Sequence, residues 1–209
     1  MKTRARTLST RPHRRKSRIV LPMSMPGRWL VTDARRLADP LPAIRRLTRG
    51  DGVLFRHYEL PPAKRLALAR QVAELCRRLG LVLVVAGDVR LARAVAAAGL
   101  HLPQGLIGHT ALARRAGLRL VTVAAHDAGA IAQAARRGAD AVLISPVFAT
   151  ASHPGAPPLG VLRFAALASD ARRQGLAVYA LGGITPASIA GLRHVPLAGY
   201  AAISMFSQA

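Results

Sequence analysis

Four short stretches of this 209-residue chain combine residue types and spacings that suit an anion or a mobile proton. Gly182-Gly183-Ile184-Thr185-Pro186 follows an apolar run and sets a capping Thr and a Pro, which favours the first helical position, directly behind two glycines. Glycine lets backbone approach a ligand closely, and the unpaired N–H groups at a helix start favour negative charge. Ile203-Ser204 closes a later apolar run and offers a second half of the same site. His126 ends Val121-Thr122-Val123-Ala124-Ala125, where an imidazole could take and return a proton near neutral pH. Arg56 ends Val53-Leu54-Phe55 and can present a guanidinium fork to an anion.

Each stretch also has a purely structural explanation. Gly182-Gly183 would serve as a tight turn and Ser204 as a cap, His126 could cap a helix together with Asp127, and Arg56 could pair with Glu59 or Asp33. His101 and His153 are weaker candidates, the first as a packed or hydrogen-bonded side chain and the second within a long loop. Asp88 is the one carboxylate expected at the ends of the third and fourth strands. Magnesium held to a pyrophosphate draws on one or two carboxylates, and Asp88 can equally cap a helix, so no metal site is expected.

Positioning these residues requires strands that end at one face. Short apolar runs alternate with Ala/Leu/Arg stretches of helical period from Trp29 onward, which predicts repeated βα units. Strands are expected at 29–32, 52–55, 81–85, 100–102, 118–123, 141–144, 177–180 and 201–203, with helices at 42–48, 61–79, 89–98, 105–116, 128–137, 159–174 and 186–192. Glycines at 80, 99, 117, 138 and 175 stand where each helix would close. Eight such units predict an α/β fold, a compact (β/α)₈ TIM barrel in a single domain, although a typical barrel takes about 250 residues; an open doubly wound sheet is the alternative, but no Gly-x-Gly-x-x-Gly turn follows the first strand. The loops after strands seven and eight often form one phosphate site in such barrels. Residues 145–159 make an unusually long connection, as expected of a lid or binding loop.

Composition bounds the partners. The net charge is +22, with 31 Lys and Arg against nine Asp and Glu. Residues 1–28 hold nine of those cations and no acid, and are read as a basic, disordered tail preceding a barrel at 29–209. The rest fall often in pairs such as Arg35-Arg36, Arg77-Arg78 and Arg172-Arg173, which read as solvated helix faces. Neither a nucleic acid nor a membrane is expected as partner, whereas a small phosphorylated substrate would be attracted by this field. A homo-oligomer is left open. One cysteine, Cys76, excludes an internal disulfide and is compatible with a cytoplasmic location.

Taken in order, Val53-Leu54-Phe55-Arg56, Gly99-Leu100-His101-Leu102-Pro103-Gln104, Ala125-His126, Gly138-Ala139-Asp140, Ser145-Pro146-Val147-Phe148, Ala180-Leu181-Gly182-Gly183-Ile184 and Ala202-Ile203-Ser204 resemble the thiamine phosphate synthase and TenI family. That resemblance implies a barrel that binds a thiazole phosphate through the Gly182-Gly183 and Ile203-Ser204 loops. It implies two chemistries. The synthase joins a pyrimidine methyl diphosphate to the thiazole phosphate with magnesium; Arg56 matches its diphosphate-binding arginine, and Thr150 and His153 fall in its lid. Tyr58 stands in place of its lysine, Leu54 of a glutamine, Ala86-Gly87 of the Asn-Asp pair that starts the metal site, and Leu106 of the second metal carboxylate. The TenI branch, a thiazole tautomerase, uses a histidine matching His126 and no metal. On these residues the tautomerase-like reading comes first, with no cofactor; a diverged synthase using magnesium is the alternative, and a non-catalytic phosphate-binding paralogue the second.

Overall fold

The computed structural model of the chain describes residues 25–150 and 157–206. Eight parallel strands close into a barrel in sequence order: β1 (Arg28–Val31), β2 (Gly52–Phe55), β3 (Val82–Ala86), β4 (Gly99–Leu102), β5 (Leu120–Ala125), β6 (Ala141–Ile144), β7 (Ala177–Leu181) and β8 (Gly199–Ala202), with β8 pairing back to β1. Between them lie α1 (Leu41–Arg45), α2 (Pro62–Leu79), α3 (Val89–Ala94), α4 (Thr110–Arg115), α5 (Ala128–Arg136), α6 (Gly160–Arg173) and α7 (Pro186–Ala190). The expected (β/α)₈ barrel is therefore the fold.

The strands read as nearly continuous apolar runs because both of their faces are covered. Alternate residues separate into two packed regions. Trp29, Val31, Leu54, Val84, Leu143 and Tyr179 fill the barrel interior, while Leu30, Val53, Phe55, Val85 and Val142 pack outward against the helices. With so few aromatics, one bulky pair plugs the interior. The Trp29 and Tyr179 rings meet edge to face at 6.0 Å, and Gly52 leaves the room, since a Cβ there would lie 2.2 Å from the indole.

Eight units fit this short chain because the helices shrink, not the strands. Only α2, with 18 residues, and α6, with 14, are long; α1 and α7 have five each. The helix expected over 105–116 is split into a 3₁₀ segment, Gln104–His109, and α4. Glycines 80, 117, 138 and 175 take the left-handed conformation expected of them. Gly99 does not: Ala96 turns the chain after α3 with φ 51°, and Gly99 opens β4, where a Cβ would sit 2.0 Å from the Leu120 carbonyl oxygen.

The boundary placed after residue 28 needs correction. Tyr179 Oη donates to the Pro26 carbonyl at 2.7 Å, Tyr200 N–H donates to the Gly27 carbonyl at 3.1 Å, and Arg28 grips Asp51 through two hydrogen bonds of 2.6 and 3.0 Å. Residues 25–28 are thus part of the barrel. No helix among the described residues is long and apolar enough to cross a membrane.

Candidate functional site

The strand C-termini meet at one mouth, and the loops after β6, β7 and β8 border a cavity there. The cavity, of about 230 Å³, is lined by Gly182, Gly183, Thr150 and Ile203, which the sequence singled out, and by Arg36, which it did not. The β6 loop is laced onto the β7 loop: Val147 N–H donates to the Leu181 carbonyl at 2.9 Å and Phe148 N–H to the Gly182 carbonyl at 3.0 Å. Both glycines have positive φ, 92° and 66°, and a Cβ at Gly183 would come within 2.5 Å of the Ala149 carbonyl oxygen. Only glycine permits so close a contact in that conformation.

The expected helix start is present, but one of its amides is engaged. Thr185 Oγ1 accepts from Ser188 N–H at 3.1 Å while Thr185 N–H donates to Ser188 Oγ at 2.8 Å. This capping box consumes Thr185 N–H and holds the turn, since Ser188 Oγ also donates to the Gly183 carbonyl at 3.0 Å. The amides of Gly183 and Ile184 have no acceptor among the described residues.

Arg36 was misread as half of an Arg pair on a helix face. It lies in the turn between β1 and α1, shaped by Asp33, whose carboxylate accepts from the N–H groups of Arg35 at 3.1 Å and Arg36 at 3.2 Å. A Tyr, Lys or Arg on a first βα loop always belongs to the same face as the late loops in a barrel, which is the signal that could have found it.

Arg56 sits at the end of β2, away from that cavity. Its N–H donates to Thr32 Oγ1 at 3.0 Å, its guanidinium lies 3.9 Å from Asp33 and 5.7 Å from the centre of the Tyr58 ring, and its side chain is 30% exposed. The ion pair foreseen with Asp33 is therefore long, and leaves the fork available. Asp33 links the two ends, shaping the turn that carries Arg36 and flanking Arg56.

His126 stands at the end of β5 as expected and does not cap α5. Asp127 does so, accepting from Ala130 N–H at 2.8 Å, and that bond chiefly holds its carboxyl below the usual range. His126 Nδ1 lies 2.6 Å from the Ser145 carbonyl oxygen, which only accepts, so Nδ1 is the donor there and the lone pair of the neutral ring falls on Nε2. His153 lies outside the described residues.

His101 is buried at the end of β4, its Nδ1 2.9 Å from Thr122 Oγ1. Burial, assisted by the charge of Arg56, pushes it down to about 3. Because the folded value lies below the ordinary 6.5, stability is intact above about pH 6.5 and drains away as pH falls toward 3. At pH 4.5 the deficit attributable to His101 is about 2–3 kcal/mol. Denaturant unfolding at pH 7 and 4.5 should show His101→Gln losing less stability across that interval than the wild type, by about 2 kcal/mol.

Asp88 is occupied structurally. Its Oδ1 accepts from Leu91 N–H at 2.9 Å, capping α3, and Oδ2 lies 3.5 Å from Arg65 Nη1. Residues at this part of the mouth do not fit magnesium. No cluster of three or more His, Cys, Asp or Glu able to hold a metal occurs among the described residues. At Gly87, which has φ 70°, a Cβ would stand 3.3 Å from the Tyr58 ring, so a carboxylate side chain there would be strained and would press on that ring.

Fold and site define a (β/α)₈-barrel enzyme with a cavity at the loops that follow β6, β7 and β8. The family described as thiamine monophosphate synthase matches residues 29–206. A thiamine-phosphate synthase of Azoarcus sp. (strain BH72) is 37% identical over 168 residues, covering 76% of this chain and 78% of that protein. Another, of Bacillus velezensis, is 29% identical over 179 residues, covering 82% and 79%. Among solved structures, the thiamine phosphate pyrophosphorylase from Pyrococcus furiosus shares the fold with a TM-score of 0.75 at 20% identity over 87% of each chain. The chain belongs to the thiamine phosphate synthase family, in thiamine biosynthesis.

Proposed function

We propose that this protein is a diverged thiamine phosphate synthase, joining a pyrimidine methyl diphosphate to a thiazole phosphate with release of pyrophosphate. The supporting observation is that one mouth presents two separate anion-suited ends: the cavity of Gly183, Ile203 and Arg36, and the available fork of Arg56 beside β3. A reaction between two phosphorylated molecules uses both ends, whereas a tautomerase uses one. The names of the relatives favour the same choice over the tautomerase that the sequence reading put first.

In this reading the thiazole phosphate seats against the Gly183 and Ile184 amides with Arg36 as counter-charge. Thr150 borders the same cavity. The diphosphate docks at Arg56. The bond between the pyrimidine methylene carbon and the diphosphate oxygen breaks, and its electron pair leaves on that oxygen, where the guanidinium meets the developing charge. The thiazole nitrogen then gives its lone pair to the methylene carbon, so the ring becomes a thiazolium and no oxidant or base is consumed.

One observation favours a second reading. His126 donates through Nδ1, which leaves Nε2 as the basic nitrogen of the neutral ring, the tautomer a general base would use for isomerising a thiazole carboxylate phosphate. Incubating pure protein with both synthase substrates, and separately with the thiazole tautomer alone, distinguishes the two. Thiamine phosphate formation above buffer is expected. Tautomer conversion alone, abolished in His126→Ala, would establish the second reading, and thiazole phosphate binding without either turnover would make the chain a non-catalytic paralogue.

A further inference from the structure

The diphosphate end carries a largely shielded guanidinium where the family's chemistry calls for a divalent cation. Arg65, in the first turn of α2, reaches back over the strand ends: Nε donates to the Arg56 carbonyl at 3.0 Å, Nη2 to the Ala86 carbonyl at 2.9 Å, and Nη1 lies 3.5 Å from Asp88. Its side chain is only 12% exposed. Two of these partners are neutral, and Asp88 is half-exposed and already caps α3, so much of the positive charge is left uncompensated.

Arg65 and Arg56 share one aromatic ring. Their guanidinium carbons lie 5.1 and 5.7 Å from the centre of Tyr58. An aromatic face within about 6 Å attracts a guanidinium, so a single ring helps hold both cations at this end of the mouth. Tyr58 in turn lies against Gly87, where a Cβ would stand 3.3 Å from the ring. Tyr58 and Gly87 stand where the resemblance would place a lysine and a metal carboxylate. The two departures are therefore neighbours in space.

We propose that Arg65 and Arg56, mounted on Tyr58, replace the divalent cation, so that this protein binds diphosphate without magnesium. Two guanidiniums carry the formal charge of one such ion. Unlike the ion, they are covalently fixed and need no carboxylate cage. Arg65 anchors the β2 and β3 ends and supplies charge, while Arg56 offers the open donors. The proposal rests on the synthase reading only for the identity of the anion.

Calorimetry of the full chain with inorganic pyrophosphate, in EDTA and in excess magnesium, tests it through the sign of the metal effect. Magnesium sequesters free pyrophosphate, so a site for the metal-free anion weakens as magnesium is added, whereas a metal-built site tightens. Binding in EDTA, weakened by magnesium, is expected, with Arg65→Gln lowering affinity about tenfold or more as charge-assisted contacts are lost. Binding only with magnesium, no binding in either buffer, or full affinity in a folded Arg65→Gln overturns the proposal; should that variant not fold, the wild-type sign decides. Metal-free binding without thiamine phosphate formation defeats the synthase reading and leaves this one standing. Turnover with an absolute magnesium requirement does the reverse.

Discussion

Arg56→Ala should lower kcat/KM for thiamine phosphate formation roughly a hundred- to a thousand-fold, the usual loss when one preorganised donor to a developing oxyanion is removed. The fold should tolerate the change. Arg56 contributes its backbone N–H to Thr32 whatever its side chain, and its ion pair with Asp33, 3.9 Å long and partly exposed, is of the kind worth about 1 kcal/mol or less. Steady-state kinetics with each substrate varied in turn should place most of the loss on the diphosphate substrate. Arg56→Lys should recover only part of it, because an ammonium cannot reproduce the bidentate fork. A loss below about threefold for Arg56→Ala would contradict the role assigned to this residue.

Gly183→Ala acts at the other end of the mouth. Its φ of 66° and the approach of the Ala149 carbonyl oxygen to 2.5 Å from a Cβ leave no place for a methyl group unless the β6 and β7 loops part. A non-glycine residue forced into this region costs about 1–2 kcal/mol, and displaced loops add to it. The expected outcome is a stability loss of about 2 kcal/mol together with a KM for the thiazole phosphate raised roughly hundredfold, since misplaced amides lose both contact and orientation. The KM for the pyrimidine diphosphate should change little. Gly108→Ala is the natural control, because a Cβ there meets nothing within 4 Å. Equal effects at both positions would detach Gly183 from the thiazole end.

Much of this architecture could be read from residues alone, for identifiable reasons. Parallel strands covered on both faces leave unbroken apolar runs, and a helix that ends in a left-handed turn leaves a glycine, so the βα repeat was visible. Gly99 misled because a glycine before a strand has two causes, helix closure and close strand approach, and only the register with Leu120 separates them. Gly182, Gly183 and Ile203 were legible since the pocket uses backbone from consecutive stretches of chain. Arg36 and Arg65 were not. One belongs to a turn that Asp33 shapes, the other to the first turn of a helix whose side chain folds back across two strand ends, and neither placement follows from spacing along the sequence. The relation between Tyr58 and Gly87 was hidden likewise. Each looked like a lost functional residue, and only the fold shows that the ring lies against the glycine.

The central claim is that the thiazole phosphate and the diphosphate occupy opposite ends of one mouth. A crystal structure of the full chain soaked with thiazole phosphate and inorganic pyrophosphate tests it most directly. The account predicts the thiazole phosphate group within hydrogen-bond distance of the Gly183 amide and the Arg36 guanidinium, and pyrophosphate against Arg56 with no metal between them. A thiazole phosphate seated on Arg56, or both ligands competing for a single end, would contradict it.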